Sequence, residues 1–173
     1  LNSFFENLTT VDHLVSMVGG SMQGGFIQPS ITTIREAIEA KFFTNLKIAR
    51  LAAPKIIEGG SMTFTAGSGG RPQNASGAII GNMNLRVMVE GLAFELAPKI
   101  RVNAVAPTWM DTPLWRDVPR AEIDATKNFI STLIPLKRTA TIQEVAAAYI
   151  FLMGNDFITG QTVSVDGGIT LGA

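Results

Sequence analysis

Short apolar runs closed by glycine or proline alternate along this chain with longer stretches of helical period, and that alternation constrains the fold more than any other feature. Residues 12–18 end at Gly19 and Gly20, residues 61–66 at Gly67-Ser68-Gly69-Gly70, residues 100–106 at Pro107, and residues 162–166 at Gly167 and Gly168. Each run has the length and character of a buried strand. Between the first two, Ile34, Ile38, Phe42, Leu46, Ala49 and Ala53 recur every three or four positions, one apolar face of a helix over 33–53. Thr33-Ile34-Arg35-Glu36 reads as a capping box at its start and Pro54 as its stop. A second helix is expected over 76–96, ahead of Pro98. The stretch 108–139 holds two Trp and three Pro and predicts a helix beginning near Pro119. Thr141-Ile142-Gln143-Glu144 is another capping box, opening a helix to Met153 with Gly154 as its C-cap. Strands alternating with helices in this way specify an α/β fold, a parallel sheet covered on both faces with ligands at the carboxyl ends of its strands.

Composition narrows the partners. The 173 residues suit one domain over 1–173. Fourteen basic residues balance fourteen acidic ones, so the chain lacks the basic excess that a nucleic acid or an anionic membrane surface requires. No apolar run reaches the ~18 residues of a membrane span. With no cysteine, disulfides, thiolate metal sites and thiol catalysis are excluded. His13, the single histidine, has no carboxylate cluster at ligand spacing, and reads as a strand residue with a satisfied ring nitrogen rather than a metal ligand. These features point to a cytoplasmic protein. The start Leu1-Asn2-Ser3, without Met or a basic leader, suggests part of something longer.

Several motifs stand in a telling order. Asp12-His13-Leu14-Val15 leads to Gly19; Glu95-Leu96-Ala97-Pro98 is followed by Arg101-Val102-Asn103-Ala104-Val105-Ala106-Pro107; Asp111-Thr112-Pro113 comes next; and Ile158-Thr159-Gly160-Gln161 runs on to Val165-Asp166-Gly167-Gly168. From Asp12 to Gly168 the chain resembles the short-chain dehydrogenase/reductase family, matching its fourth strand, fifth helix, sixth strand, nicotinamide loop and C-terminal signature. The resemblance implies a Rossmann-type three-layer sandwich with a mostly parallel sheet, and a protein that binds NAD or NADP. On this reading the first strands and the glycine-rich phosphate loop, about 60 residues or more, lie upstream of this chain, and residues 1–8 end the preceding helix. The glycine clusters 19–25 and 67–70 lack the spacing and the immediate helix of a pyrophosphate turn.

The resemblance also locates a site and its departures. The family's catalytic Tyr falls on Ala78, its Lys on Asn82 and its Asn on Lys41; the only tyrosine, Tyr149, reads as core. Lys41 is therefore offered as proton donor or ribose anchor, its alternative being a lysine whose stem lies along an apolar helix edge. The family's Ser position falls at 65–67, which makes Thr65 and Ser68 the candidate hydroxyls unless they bond their own turn. Met17, Val18, Gly19, Pro107, Thr108, Met110 and Thr112 match cofactor-contacting positions, Thr108 replacing the usual Gly. Trp109, Leu114 and Trp115 fall in the family's substrate lid. The implied activity is hydride transfer between nicotinamide and a carbonyl or alcohol; the alternative is a non-catalytic relative used for cofactor sensing or assembly, this chain being a fragment unable to bind a dinucleotide. The two long helices resemble those that make homodimers or homotetramers in the family, Gly77, Gly81, Met83 and Met88 facing either a partner or the sheet. Without its neighbour, the strand at Leu14 would be an edge open to pairing.

Overall fold

A computed structural model describes residues 1–20 and 22–172; Ser21, within the first glycine cluster, lies outside the described residues. In chain order the elements are α1 (Asn2–Glu6), β1 (Val11–Ser16), α2 (Ile31–Ile38), a π-helical turn (Glu39–Phe43), α3 (Thr44–Ala52), β2 (Ile56–Thr65), α4 (Pro72–Leu96), β3 (Arg101–Pro107), α5 (Arg120–Leu133), α6 (Ile142–Gly154) and β4 (Thr162–Val165). The four strands form one sheet in the order β1-β2-β3-β4, every pair parallel. Helices lie on both faces, which is the α/β sandwich expected.

Alternation along the strands builds two cores. Met62, Phe64, Val102, Ala104 and Ala106 point to one face, where Ile48, Ala49 and Ala52 of α3 and Leu85, Val89 and Ala93 of α4 cover them. Val105, with Val15, Val163 and Val165 beside it, points to the other, against Val145, Tyr149 and Leu152 of α6. Met62, Phe64 and Leu85 are fully enclosed, and burial of each side chain contributes about 1.5–3 kcal/mol. Arg101 ties the layers together: its guanidinium donates to the carbonyls of Leu152 and Met153, satisfying the end of α6.

Three boundaries differ from the sequence expectation. The first helix starts at Ile31, because the Ser30 hydroxyl accepts from the Thr33 amide; Thr33-Glu36 is its first turn, not its cap. That helix is not continuous to residue 53 but is broken by the π-turn, and Pro54 sits inside a short 3-10 turn, Ala53–Lys55, rather than past the end. α4 has a non-helical residue at Ala75, and its regular part starts at Ser76 as expected. There the chain is held by Gly24, whose amide donates to the Asn74 carbonyl and whose carbonyl accepts from the Ser76 amide. The small residues on α4 also sort themselves. A Cβ on Gly77 or Gly81 would press on Ala37 or Lys41, and Met88 is core, so only Met83 faces outward. β1 is an edge strand, as anticipated, with Asp12 and His13 exposed along it.

Candidate active site

The carboxyl ends of β1 and β2, the π-turn and the first half of α4 come close together, Gly19 and Gly81 lying against Lys41 and Gly67 against Asn82. Lys41 sits in the π-turn, where an extra residue per turn loosens the helix; such turns recur at functional sites. Two glycines make its slot. A Cβ on Gly19 would come within 2.8 Å of the Lys41 Nζ, and one on Gly81 within 2.8 Å of its Cβ. Gly19 has φ 151°, a conformation open to glycine, so nothing else fits there without strain. None of the ion pairs among the described residues involves Lys41. Burial without a counter-ion lowers its proton affinity from the ordinary lysine value to about 8.

Asn45, wholly buried, fixes the turn. Its amide nitrogen donates to the carbonyls of Lys41 and Val18, and its oxygen accepts from the Ser16 hydroxyl at 2.6 Å. The carboxyl end of β1 and the backbone under Lys41 are thereby held by one side chain. The sequence pattern gave no sign of Asn45, whose partners lie up to 29 positions away. Beyond β1, Met17 and Val18 are exposed beside Gly19. Asn82 lies on the same stretch of α4, one residue past Gly81. Its oxygen is buried without a hydrogen-bond partner, and a Cβ on Gly67 would collide with its nitrogen.

The two hydroxyl candidates are committed elsewhere. Thr65 points to the α6 face, away from Lys41; its hydroxyl donates to the Ser16 carbonyl at 2.8 Å and pairs with the Tyr149 hydroxyl at 2.7 Å. Burial pushes the Tyr149 phenol up, only partly opposed by that bond, so it stays protonated in the core. The Ser68 hydroxyl donates to the Asp166 carboxylate at 2.6 Å, and Thr170 and the Gly168 amide donate to the same group. Burial alone would raise the Asp166 carboxyl, but these bonds outweigh it and hold it below the usual range. Ser68 thus fastens the C-terminal turn to the glycine turn after β2. His13 bonds the Ser61 hydroxyl at 2.9 Å, and no metal-holding group of His and carboxylates occurs among the described residues.

The loop after β3 carries the remaining candidates. Pro107 ends the strand; Thr108 is buried and its amide donates to the Val165 carbonyl. Thr112 caps a 3-10 turn, Pro113–Trp115, and the Trp115 indole donates to the Met110 carbonyl at 2.9 Å. Trp109 and Trp115 stack with ring centroids 6.1 Å apart, while Leu114 stays half exposed. Beside Trp115 is an open depression of about 490 Å³ lined also by Asp111, Thr112, Val118 and Ile123. Arg120 closes its rim through Asp111 at 2.8 Å and Asp124 at 2.6 Å. Neither glycine cluster leads straight into a regular helix: Ser30 caps α2 well after Gly25, and the irregular Ala75 separates Gly70 from the regular part of α4.

Comparison with known proteins agrees with the fold. The family model described as enoyl-(acyl carrier protein) reductase matches residues 1–170. A short-chain dehydrogenase/reductase of Gibberella fujikuroi is 32% identical over 93% of this chain and 63% of its own length. The 2,3-dihydroxy-2,3-dihydro-p-cumate dehydrogenase of Pseudomonas putida is 30% identical over 96% of this chain and 66% of its own. The chain therefore spans just under two thirds of these curated relatives. Among solved structures, a small-chain dehydrogenase in complex with NADPH superposes with a TM-score of 0.92 at 29% identity, covering 99% of this chain and 79% of that one. The ligand-free aldohexose dehydrogenase of Thermoplasma acidophilum gives 0.91 at 25% identity, covering 99% and 74%.

Proposed function

The chain belongs to the short-chain dehydrogenase/reductase family, and from that membership we propose that it is part of an NAD(P)-dependent oxidoreductase in which Lys41 does the acid–base work usually given to a tyrosine. The observation that carries this reading is the Lys41 ammonium, lodged without a counter-ion in a slot cut by Gly19 and Gly81 at the strand ends. The residues present fit the nicotinamide half of a dinucleotide. Met17, Val18 and Gly19 follow β1, and Pro107, Thr108, Met110 and Thr112 end or follow β3, at the carboxyl ends of strands in one parallel sheet. The cofactor, when bound, supplies or accepts the hydride. Lys41 gives its Nζ proton to the carbonyl oxygen as the carbon gains hydride, leaving an alcohol and a neutral amine; in oxidation the amine takes the alcohol proton back. Trp109, Leu114 and Trp115 shape an apolar entrance that excludes water, and the substrate is a small carbonyl compound or alcohol. On the same reading the protein is cytoplasmic and a homodimer or homotetramer, with no nucleic-acid or membrane partner; no helix is long and apolar enough to cross a membrane among the described residues.

The commitment of Thr65 and Ser68 within the protein, together with Ala78 at the usual tyrosine position, favours one other reading, a non-catalytic relative that binds cofactor or assembles. Reduction of a carbonyl panel, followed by nicotinamide absorbance, separates the two. Turnover in the wild type that falls at least about 100-fold in Lys41→Met, the size of a lost general acid, supports the first. Equal kinetics in both proteins ends the role of Lys41, and cofactor binding without any turnover favours the second.

A further inference from the structure

Six lysines occur in the chain, and Lys41 alone lies against glycine at both ends of its stem. Its Cβ and Cγ rest over Gly81 and its Cδ and Nζ over Gly19, so the amine is carried on a stem fixed along its length. The backbone beneath is pinned as well, by the Asn45 amide that donates to the Lys41 carbonyl. Among the described residues Nζ enters no ion pair. Nor is it one of the enclosed atoms without a hydrogen-bond partner, which are Thr63 Oγ1, Asn82 Oδ1 and Arg101 Nε; the half-buried side chain keeps its tip within reach of solvent. Gly20 has open space where a side chain would stand, which leaves an approach beside Gly19. Burial supports the same chemistry. With a proton affinity of about 8, about a tenth of the amine is neutral at pH 7, against about one part in three thousand at the ordinary lysine value.

We propose that Lys41 is a covalent capture site for small aldehydes, its Nζ adding to the carbonyl carbon to give an imine. The neutral amine forms the N–C bond, the C–O bond breaks, and the oxygen leaves as water with both hydrogens of the amine; nothing is oxidised or reduced. The step disposes of a positive charge that the slot leaves without a counter-ion. An aldehyde fits where a ketone does not. Nζ lies so close to Gly19 that even one carbon added to that residue would press on it. The carbon bonded to Nζ can therefore carry one substituent, directed outward past Gly20, and only a hydrogen towards Gly19. Capture needs the amine alone and no cofactor, so it goes beyond the acid–base role given to Lys41 above, and an aldehyde held in this way blocks that role.

The test is site-resolved labelling of the wild-type chain. Benzaldehyde with sodium cyanoborohydride at pH 7 turns each imine into a benzylated lysine, because this reagent reduces the iminium and spares the aldehyde. Mass spectrometry of the digest then reads each of the six lysines. Lys41 should be benzylated at least about tenfold faster than any of the others. Acetophenone in place of benzaldehyde should leave Lys41 unlabelled. Gly19→Ala, whose methyl presses on the Lys41 Cδ and Nζ, should bring Lys41 down to the rate of the other lysines; Gly81→Ala gives the same reading if that variant fails to melt cooperatively. Uniform labelling, or a Lys41 slower than the exposed Lys47 and Lys99, overturns the capture site and leaves the hydride-transfer reading as it stands. Equal labelling by acetophenone, or fast labelling that persists in both glycine variants, overturns it too. Selective benzylation of Lys41 alongside normal turnover in Lys41→Met supports capture and ends the acid–base role.

Discussion

A charged lysine in a slot without a carboxylate destabilises the fold that holds it, and Lys41 should show this as pH is changed. Its proton affinity is about 8 when folded and near 10.5 when unfolded. Between those values the unfolded chain binds more protons, so stability rises with pH across that window; below about 8 the full penalty, at most about 3 kcal/mol, is present. Lys41→Met should therefore be the more stable protein at pH 7, with the difference shrinking towards pH 10.5; parallel urea titrations at several pH values would show it, and identical curves would mean the lysine is solvated. Asp166 works the other way. Its lowered carboxyl stabilises the fold above its unfolded value near 3.8, and the gain is lost as pH falls below that. Ser68→Ala removes one donor to a carboxylate and should cost about 1.5–3 kcal/mol at pH 7, less in acid, without changing turnover. In the sequence Thr65 and Ser68 look like free strand-end hydroxyls. What claims them is Tyr149 and Asp166, 84 and 98 positions later, a separation no local pattern reveals.

Helix α4 offers a controlled comparison between two glycines on one element. Gly91 is exposed with open space around its Cβ position, so Gly91→Ala should stabilise by about 0.5–1 kcal/mol, the ordinary helix gain. At Gly81 the same methyl meets the Lys41 Cβ at 2.8 Å, and the overpacking cost of about 1–3 kcal/mol should outweigh that gain and displace the lysine, lowering turnover as well. Equal thermal shifts in the two variants would mean the slot is slack. At this scale most of the fold was legible, because strand ends carry glycine or proline and the Thr141 capping box stands alone ahead of its helix. The start at Ser30 was missed because Thr33-Ile34-Arg35-Glu36 carries the same signature three residues further on. The π-turn was missed for a different reason: Ile38, Phe42 and Leu46 keep helical spacing straight through it, and what holds it open is Asn45 bonded to the Lys41 and Val18 carbonyls. Lys41 was thus readable as a candidate, while the device that holds it was not.

Over the whole molecule, charge is balanced and α4 turns apolar side chains outward. Val87 is 69% exposed and Phe94 89%, with Met83 one turn before Val87 also turned outward. On the π-turn and α3, Phe43, Leu46 and Leu51 line a shallow groove together with Lys47 and Arg50. An apolar face rimmed by charge is the usual mark of a protein interface. The inward-facing Gly77 and Gly81 cannot contribute to it, so the contact must be made by the large residues rather than by close helix approach. The double variant Val87→Glu, Phe94→Glu places charge in the middle of that face while disturbing no core residue. It should sediment as a monomer at micromolar concentration and melt within about 0.5 kcal/mol of a monomeric reference, since exposed positions contribute little to the fold. Wild type should sediment as a dimer or tetramer under the same conditions. A monomeric wild type would remove the helix face as an interface. A variant that still dimerises would transfer the contact to the open edge of β1, where unpaired backbone groups flank the exposed Asp12 and His13.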